Sequence, residues 1–160
     1  MIKKQLKAEV EVYDGISELD ENVQSLMHKA LAIREKAYAP YSNFLVGAAL
    51  LLDNGEVVTG SNQENASYPS GLCAERTAIY WAGANYPDNK ILQIAISASS
   101  NKKKNETPIP PCGACRQAIA EYEQKQKQDI EIFFMGIAGK VVKVNALRDI
   151  LPLAFENKYL

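Results

Sequence analysis

All three cysteines of this 160-residue chain fall in two short motifs, Cys73-Ala74-Glu75 and Pro111-Cys112-Gly113-Ala114-Cys115, and its one histidine, His28, lies far from both. Three thiolates, Cys73, Cys112 and Cys115, can hold a zinc ion and leave its fourth position for water or substrate, as catalytic zinc sites do; structural sites close with a fourth protein ligand. Glu75, two residues past the first cysteine, puts a carboxylate beside such a water, where one group can act as base and then as acid. An odd cysteine count argues against a disulfide framework and fits thiols kept reduced for metal.

Other readings of the same residues compete. A structural zinc module would use these cysteines for folding, but it lacks a fourth ligand and gives Glu75 no task. Cys112-Gly113-Ala114-Cys115 has the spacing of a redox dithiol near a helix start, a reading that leaves Cys73 idle. Glu75 could also be only a first-turn carboxylate that favours a helix dipole.

Further motifs follow in order: Tyr38-Ala39-Pro40-Tyr41-Ser42, Phe44-Leu45-Val46-Gly47-Ala48-Ala49, Asn62-Gln63-Glu64-Asn65-Ala66-Ser67-Tyr68, Cys73-Ala74-Glu75-Arg76-Thr77, Pro111-Cys112-Gly113-Ala114-Cys115-Arg116-Gln117 and Leu151-Pro152-Leu153-Ala154-Phe155. From about residue 20 onward the chain resembles the small three-cysteine members of the cytidine/deoxycytidylate deaminase family, whose metal motif this is. The resemblance implies an α/β fold, a three-layer α/β/α sandwich with a mixed five-stranded sheet. It implies hydrolytic deamination of cytidine and 2′-deoxycytidine to uridine and 2′-deoxyuridine, with release of ammonia. One zinc ion per subunit would be held by Cys73, Cys112 and Cys115. Glu75 would take a proton from the attacking water, pass it to ring N3 and help another to the departing amino group.

The substrate residues come from the same source. By resemblance, Asn62 and Glu64 hold the ribose 3′-hydroxyl, within a segment that continues through Asn65, Ala66 and Tyr68. Phe44 would pack on the pyrimidine, Ala74 would offer backbone polar groups to the base edge, and Arg76 would hydrogen-bond the ligand sulfurs. Phe155 and part of the Asn62–Tyr68 segment would reach a neighbouring subunit's site, which implies a homotetramer. Each residue has a plainer alternative. Asn62 could be turn chemistry, Phe44 core, Arg76 one half of a surface ion pair, and Phe155 an anchor for its own tail. Blasticidin S deaminase shares the cysteine and glutamate motifs and is the nearest rival; Asn62-x-Glu64 and Phe155 favour cytidine.

Electrostatics constrains how such a cluster can be held. Zinc with three thiolates is net negative, so something must offset the charge. Cys73 and Cys112 both fall near expected helix N-termini, where free N–H groups and the positive end of the dipole stabilise anions. Arg76 sits close enough in sequence to help.

The elements that must position these groups alternate along the chain. Leu19, Val23, Leu26, Met27, Ala30 and Leu31 recur at helical spacing behind Ser17, which predicts a helix from Glu18 to Ala37 that Pro40 stops. Phe44–Leu52 and Glu56–Ser61 predict an antiparallel hairpin turning at Asn54-Gly55. A helix over Cys73–Ala84, a strand over Ile91–Ser99, a helix from Pro111 or Cys112 to Gln124, strands over Ile130–Met135 and Lys140–Val144, and a short helix over Asn145–Leu151 complete a mixed sheet between helices. Residues 17–160 read as a single domain. Residues 1–16 read as an extension outside the family pattern; Ala8 to Tyr13 alternate as an added edge strand would, and a disordered tail is the alternative. The polar loop Ser100–Pro110 leads straight into the second cysteine motif and is expected to shape the mouth of the site.

Composition narrows the class. With 18 basic and 19 acidic residues and a net charge of −1, the chain offers no general field for nucleic acid, and Lys102-Lys103-Lys104 reads as a solvated loop. No apolar stretch reaches the length of a membrane span, and the charged start lacks a signal region, so the cytoplasm is the expected location.

Overall fold

Strands that must be buried on both faces read as near-continuous apolar runs, and Phe44–Leu52 (β2) and Ile91–Ser100 (β4) are of this kind. The computed structural model, which describes residues 1–160, places them side by side in the interior of a six-stranded sheet. The flanking strands are β1 (Glu11–Tyr13), β3 (Val57–Ser61), β5 (Glu131–Met135) and β6 (Val141–Val144), in the order β1-β6-β5-β4-β2-β3. Only β4 and β5 run parallel; every other pair is antiparallel. Gly55 closes the β2–β3 hairpin at φ +86°, a backbone conformation that glycine adopts without strain.

Side-chain alternation along the strands divides the core in two. Ala48, Leu50, Ile94, Ile96, Ile132 and Phe134 point to one face, under α2 (Ala74–Asn85) and α3 (Gly113–Gln126), which supply Ala78, Ile79 and Ile119. Ala49, Ala95, Phe133 and Met135 point to the other, where α1 (Glu21–Arg34) supplies Val23, Leu26, Met27 and Ala30. The result is three layers, helix on sheet on helices.

The expected five strands are corrected to six. The additional strand is β1, which pairs with β6 as Glu11 opposite Lys143, Val12 opposite Val142 and Tyr13 opposite Val141. Tyr13 packs on the α1 side of the core. Lys143 ties the edge together electrostatically, lying 2.8 Å from Glu131 and 3.6 Å from Glu11.

Several boundaries also move. The α1 helix starts at Glu21 behind Asp20, not behind Ser17, because Ile16–Glu18 forms its own 3-10 turn, in which the Glu18 carboxylate accepts the Asp14 N–H at 2.8 Å. It ends at Arg34, where the chain tightens through Lys36 N–H to Ile33 O and Ala37 N–H to Arg34 O, both 3.0 Å. Pro111 lies outside α3, since Cys112 is the extended N-cap residue (ψ 168°). The region Asn145–Leu151 holds only a 3-10 turn, Leu147–Asp149.

Candidate metal centre and substrate cleft

The start of α2 lies directly on β3, and glycine makes this possible. A Cβ at Gly60 would stand 2.7 Å from both the Ala74 carbonyl oxygen and the Ala78 nitrogen. With Ala74 and Ala78 fully buried in that contact, Cys73 is held as the N-cap residue of α2. Cys112 takes the same position on α3, and Cys115 lies in that helix's first turn.

Two helix N-termini therefore converge and bring the Cys73, Cys112 and Cys115 sulfurs within 4.8 Å of one another. Cys73 and Cys112 Sγ are 3.7 Å apart. Sulfurs bound to one tetrahedral zinc at about 2.3 Å stand about 3.8 Å apart, so the spacing suits that ion. Charge points the same way. The Cys73 thiol is held down to about 5 by its hydrogen bond from Cys115, with Arg76 adding to the effect against the opposing pull of burial. The Cys115 thiol is pushed up, chiefly because it gives that bond to Cys73 and because it is buried. One thiolate is supported by the protein; further negative charge requires a cation, and soft sulfur donors suit zinc.

Arg76 donates from Nη2 to Cys73 Sγ at 3.6 Å. Glu75, in the first turn of α2, is only 4 % exposed and lines the same cleft as Cys73 and Cys112. Burial pushes its carboxyl up, and the nearby Cys73 thiolate adds to the shift. The cleft encloses about 700 Å³, the scale of a pocket for a small organic ligand.

Most of the expected substrate residues meet here. Phe44, Asn62, Glu64, Asn65 and Tyr68 all line the cleft. Asn62 extends the β2–β3 ladder with its side chain: Oδ1 accepts the Val46 N–H at 2.8 Å and Nδ2 donates to the Phe44 carbonyl at 2.9 Å. The amide is thereby fixed in place and keeps one N–H to offer. Asn65 Oδ1 accepts the Ser67 N–H at 2.9 Å, a local turn contact. Tyr68 is 75 % exposed and meets Tyr41 edge to face at 6.0 Å.

Three of the expected substrate residues lie off the cleft wall, and one metal ligand sits behind it. Ala74 is buried against β3, so its side chain faces away from the cleft, and Ala66 is outside the lining. Cys115 is buried behind Cys73 and Cys112. Phe155 is 59 % exposed, stacks on Tyr159 at 5.9 Å and is not among the lining residues of its own chain's cleft.

The structure also adds residues that sequence reasoning left unassigned. Tyr41, Ser42 and Leu72 form part of the wall, and Ile109 and Pro110 line it from the end of the 100–110 loop. The signal for the last two was their place immediately before the second cysteine motif. Leu72 gave none; it arrives through paired backbone bonds with Gln63, both 2.9 Å.

Three sulfurs spaced for one metal ion, two of them lining a cleft of this size with a buried carboxyl, suit a zinc-dependent hydrolytic enzyme, and fold and site together fit that class. Comparison with known proteins narrows it. Residues 20–128 match the model for the cytidine and deoxycytidylate deaminase zinc-binding region, and the chain belongs to this family. The cytidine deaminase of Halalkalibacterium halodurans is 41 % identical over 132 residues, covering 82 % of this chain and 92 % of that protein. That of Sporosarcina psychrophila is 35 % identical over 139 residues, covering 87 % and 95 %. The crystal structure of cytidine deaminase from Burkholderia pseudomallei superposes with a TM-score of 0.71 at 41 % identity, over 86 % of this chain and all of that one.

Proposed function

We propose that the protein converts cytidine and 2′-deoxycytidine to uridine and 2′-deoxyuridine, consuming water and releasing ammonia. The observation that carries this reading is the buried Glu75 carboxyl facing the same cleft as the Cys73 and Cys112 sulfurs. A zinc ion on Cys73, Cys112 and Cys115, one per subunit, would supply Lewis acidity and make water easier to deprotonate.

The chain's own groups do the rest. Glu75 accepts a proton from the attacking water, delivers it to ring N3 and then assists proton transfer to the leaving amino group, so one carboxyl serves as base and acid. Its burial suits the task, since a raised carboxyl holds the transferred proton longer than an exposed one. Phe44 packs on the pyrimidine, and Ala74 offers backbone polar groups to the base edge. Asn62 and Glu64 hold the ribose, with Asn65 and Tyr68 completing that wall, while Ala66 sits in the same segment outside the lining. Arg76 offsets the negative sulfurs.

The same reading extends to assembly. Phe155, exposed and away from its own cleft, would complete the cleft of a neighbouring copy in a homotetramer. In the cell the activity would serve pyrimidine salvage in the cytoplasm. The test is ammonia release from cytidine, 2′-deoxycytidine, cytosine, adenosine and blasticidin S, with and without a zinc chelator. Turnover confined to the two cytosine nucleosides and abolished by the chelator is expected; preference for blasticidin S, or chelator-insensitive turnover, overturns the reading.

A further inference from the structure

We propose that Ser42 is the positioning residue for sugar recognition: its hydroxyl fixes the Glu64 carboxylate against the start of β2, and so makes the cleft select nucleosides that carry a free 3′-hydroxyl. The inference rests on the reading of Glu64 as the ribose-binding carboxylate.

A serine hydroxyl has one proton to give and two lone pairs to receive. In Ser42 the proton goes to Glu64 Oε1, while Oγ accepts the Phe44 N–H at 3.0 Å. One atom therefore ties the carboxylate to the backbone of Phe44. Glu64 Oε2 accepts from the Tyr41 N–H at 2.9 Å and the Ser42 N–H at 3.3 Å, and the Glu64 N–H donates to the Tyr38 carbonyl at 2.8 Å. Asn43, next in the chain, adopts φ +56°, a left-handed turn that asparagine tolerates better than most residues and that swings the chain from Ser42 into β2.

A carboxylate has about four lone-pair sites and no proton to donate. Three are met by Tyr41 and Ser42, which leaves capacity for one donor from the cleft. Ser42 and Glu64 both line that cleft. The ligand group that fits is a single hydroxyl, and a nucleoside lacking it leaves the carboxylate's remaining acceptor site unfilled, a loss that discriminates between substrates.

The experiment compares 3′-deoxycytidine with cytidine for the wild-type holoenzyme and for Ser42→Ala, Ser42→Thr and Glu64→Ala, with zinc content and thermal stability recorded for each. Ser42→Ala is expected to lower kcat/KM for cytidine about tenfold, chiefly through KM, and to change that for 3′-deoxycytidine by less than about twofold. Ser42→Thr should restore the wild-type ratio. Equal losses on both substrates, or none on cytidine, overturn the role of Ser42. If Glu64→Ala also lowers kcat/KM equally on both substrates, the reading of Glu64 falls; if its loss is confined to cytidine while that of Ser42→Ala is not, only the serine's role falls.

Discussion

Arg76 Nη2 lies 3.6 Å from Cys73 Sγ, so the helix capped by the first sulfur of the candidate metal centre also carries that sulfur's own counter-charge. The always-protonated guanidinium is raised further, chiefly by its bond to Cys73, which puts a positive charge beside a cluster with surplus negative charge. Arg76→Ala is expected to weaken zinc retention about ten- to a hundredfold, as loss of a partner to a metal ligand does. Competition with a chromophoric chelator measures this, and unchanged retention would remove Arg76 from the metal centre.

Glu75→Gln preserves shape and burial but cannot accept a proton. The variant should keep its fold and zinc and lose about a hundred- to ten-thousandfold in kcat, the usual contribution of general acid–base catalysis. Steady-state rates with metal analysis on the same sample decide it; a loss of zinc in step with activity would instead make Glu75 a structural residue.

Gly60→Ala places a methyl group where the Ala74 carbonyl and the Ala78 amide already stand. Backbone cannot step aside cheaply, so α2 must shift, at a cost of about 1–3 kcal/mol typical of overpacking. Because Cys73 caps this helix, zinc affinity should fall along with the melting temperature. Calorimetry and metal analysis together check the pairing; a stable variant with normal zinc content would contradict the tight contact.

Glu123 gives a pH-dependent prediction away from the cleft. Its Oε1 accepts the Ile130 N–H at 2.9 Å and the Leu147 N–H at 3.0 Å, pinning β5 and the 147–149 turn to α3. Burial pushes the carboxyl up despite these donors. A carboxyl whose folded value is raised contributes stability below its ordinary value near 4.5 and loses it as pH rises through the folded value. Glu123→Gln keeps an acceptor oxygen without the charge, so its melting temperature relative to wild type should rise from about pH 4 to about pH 7. Glu123→Ala strands both N–H groups and should cost about 2 kcal/mol at low pH, a difference that narrows as pH rises. A flat Gln profile refutes the account.

Much of the core was legible in the sequence because it depends on periodicity. The hairpin at Asn54-Gly55 and the runs of β2 and β4 announce themselves, and the expected helices over Cys73–Ala84 and from Pro111 or Cys112 put both cysteines near helix starts, where they are found. Reading failed where tertiary contacts outrank local pattern. Ser17 resembles a helix cap, yet the Ile16–Glu18 turn claims it and Asp20 precedes the helix instead. The alternation in Ala8–Tyr13 allowed a strand or a tail; the choice depends on β6 and on Lys143, about 130 residues further along the chain. Asn62 looked like either a turn residue or a ligand. Its side chain in fact completes a strand ladder with Phe44 and Val46, a partnership that exists only after the hairpin has formed.

The short strand at the rim of the sheet has a consequence for solution behaviour. A bare β6 would present a row of unsatisfied amides and carbonyls, the kind of template on which unrelated chains stack into aggregates. Three residues of β1 cover that row, and the Glu11 and Lys143 charges leave a small, hydrated margin unsuited to further strand addition. The extension thereby occupies backbone groups of β6 that would otherwise stand open for pairing.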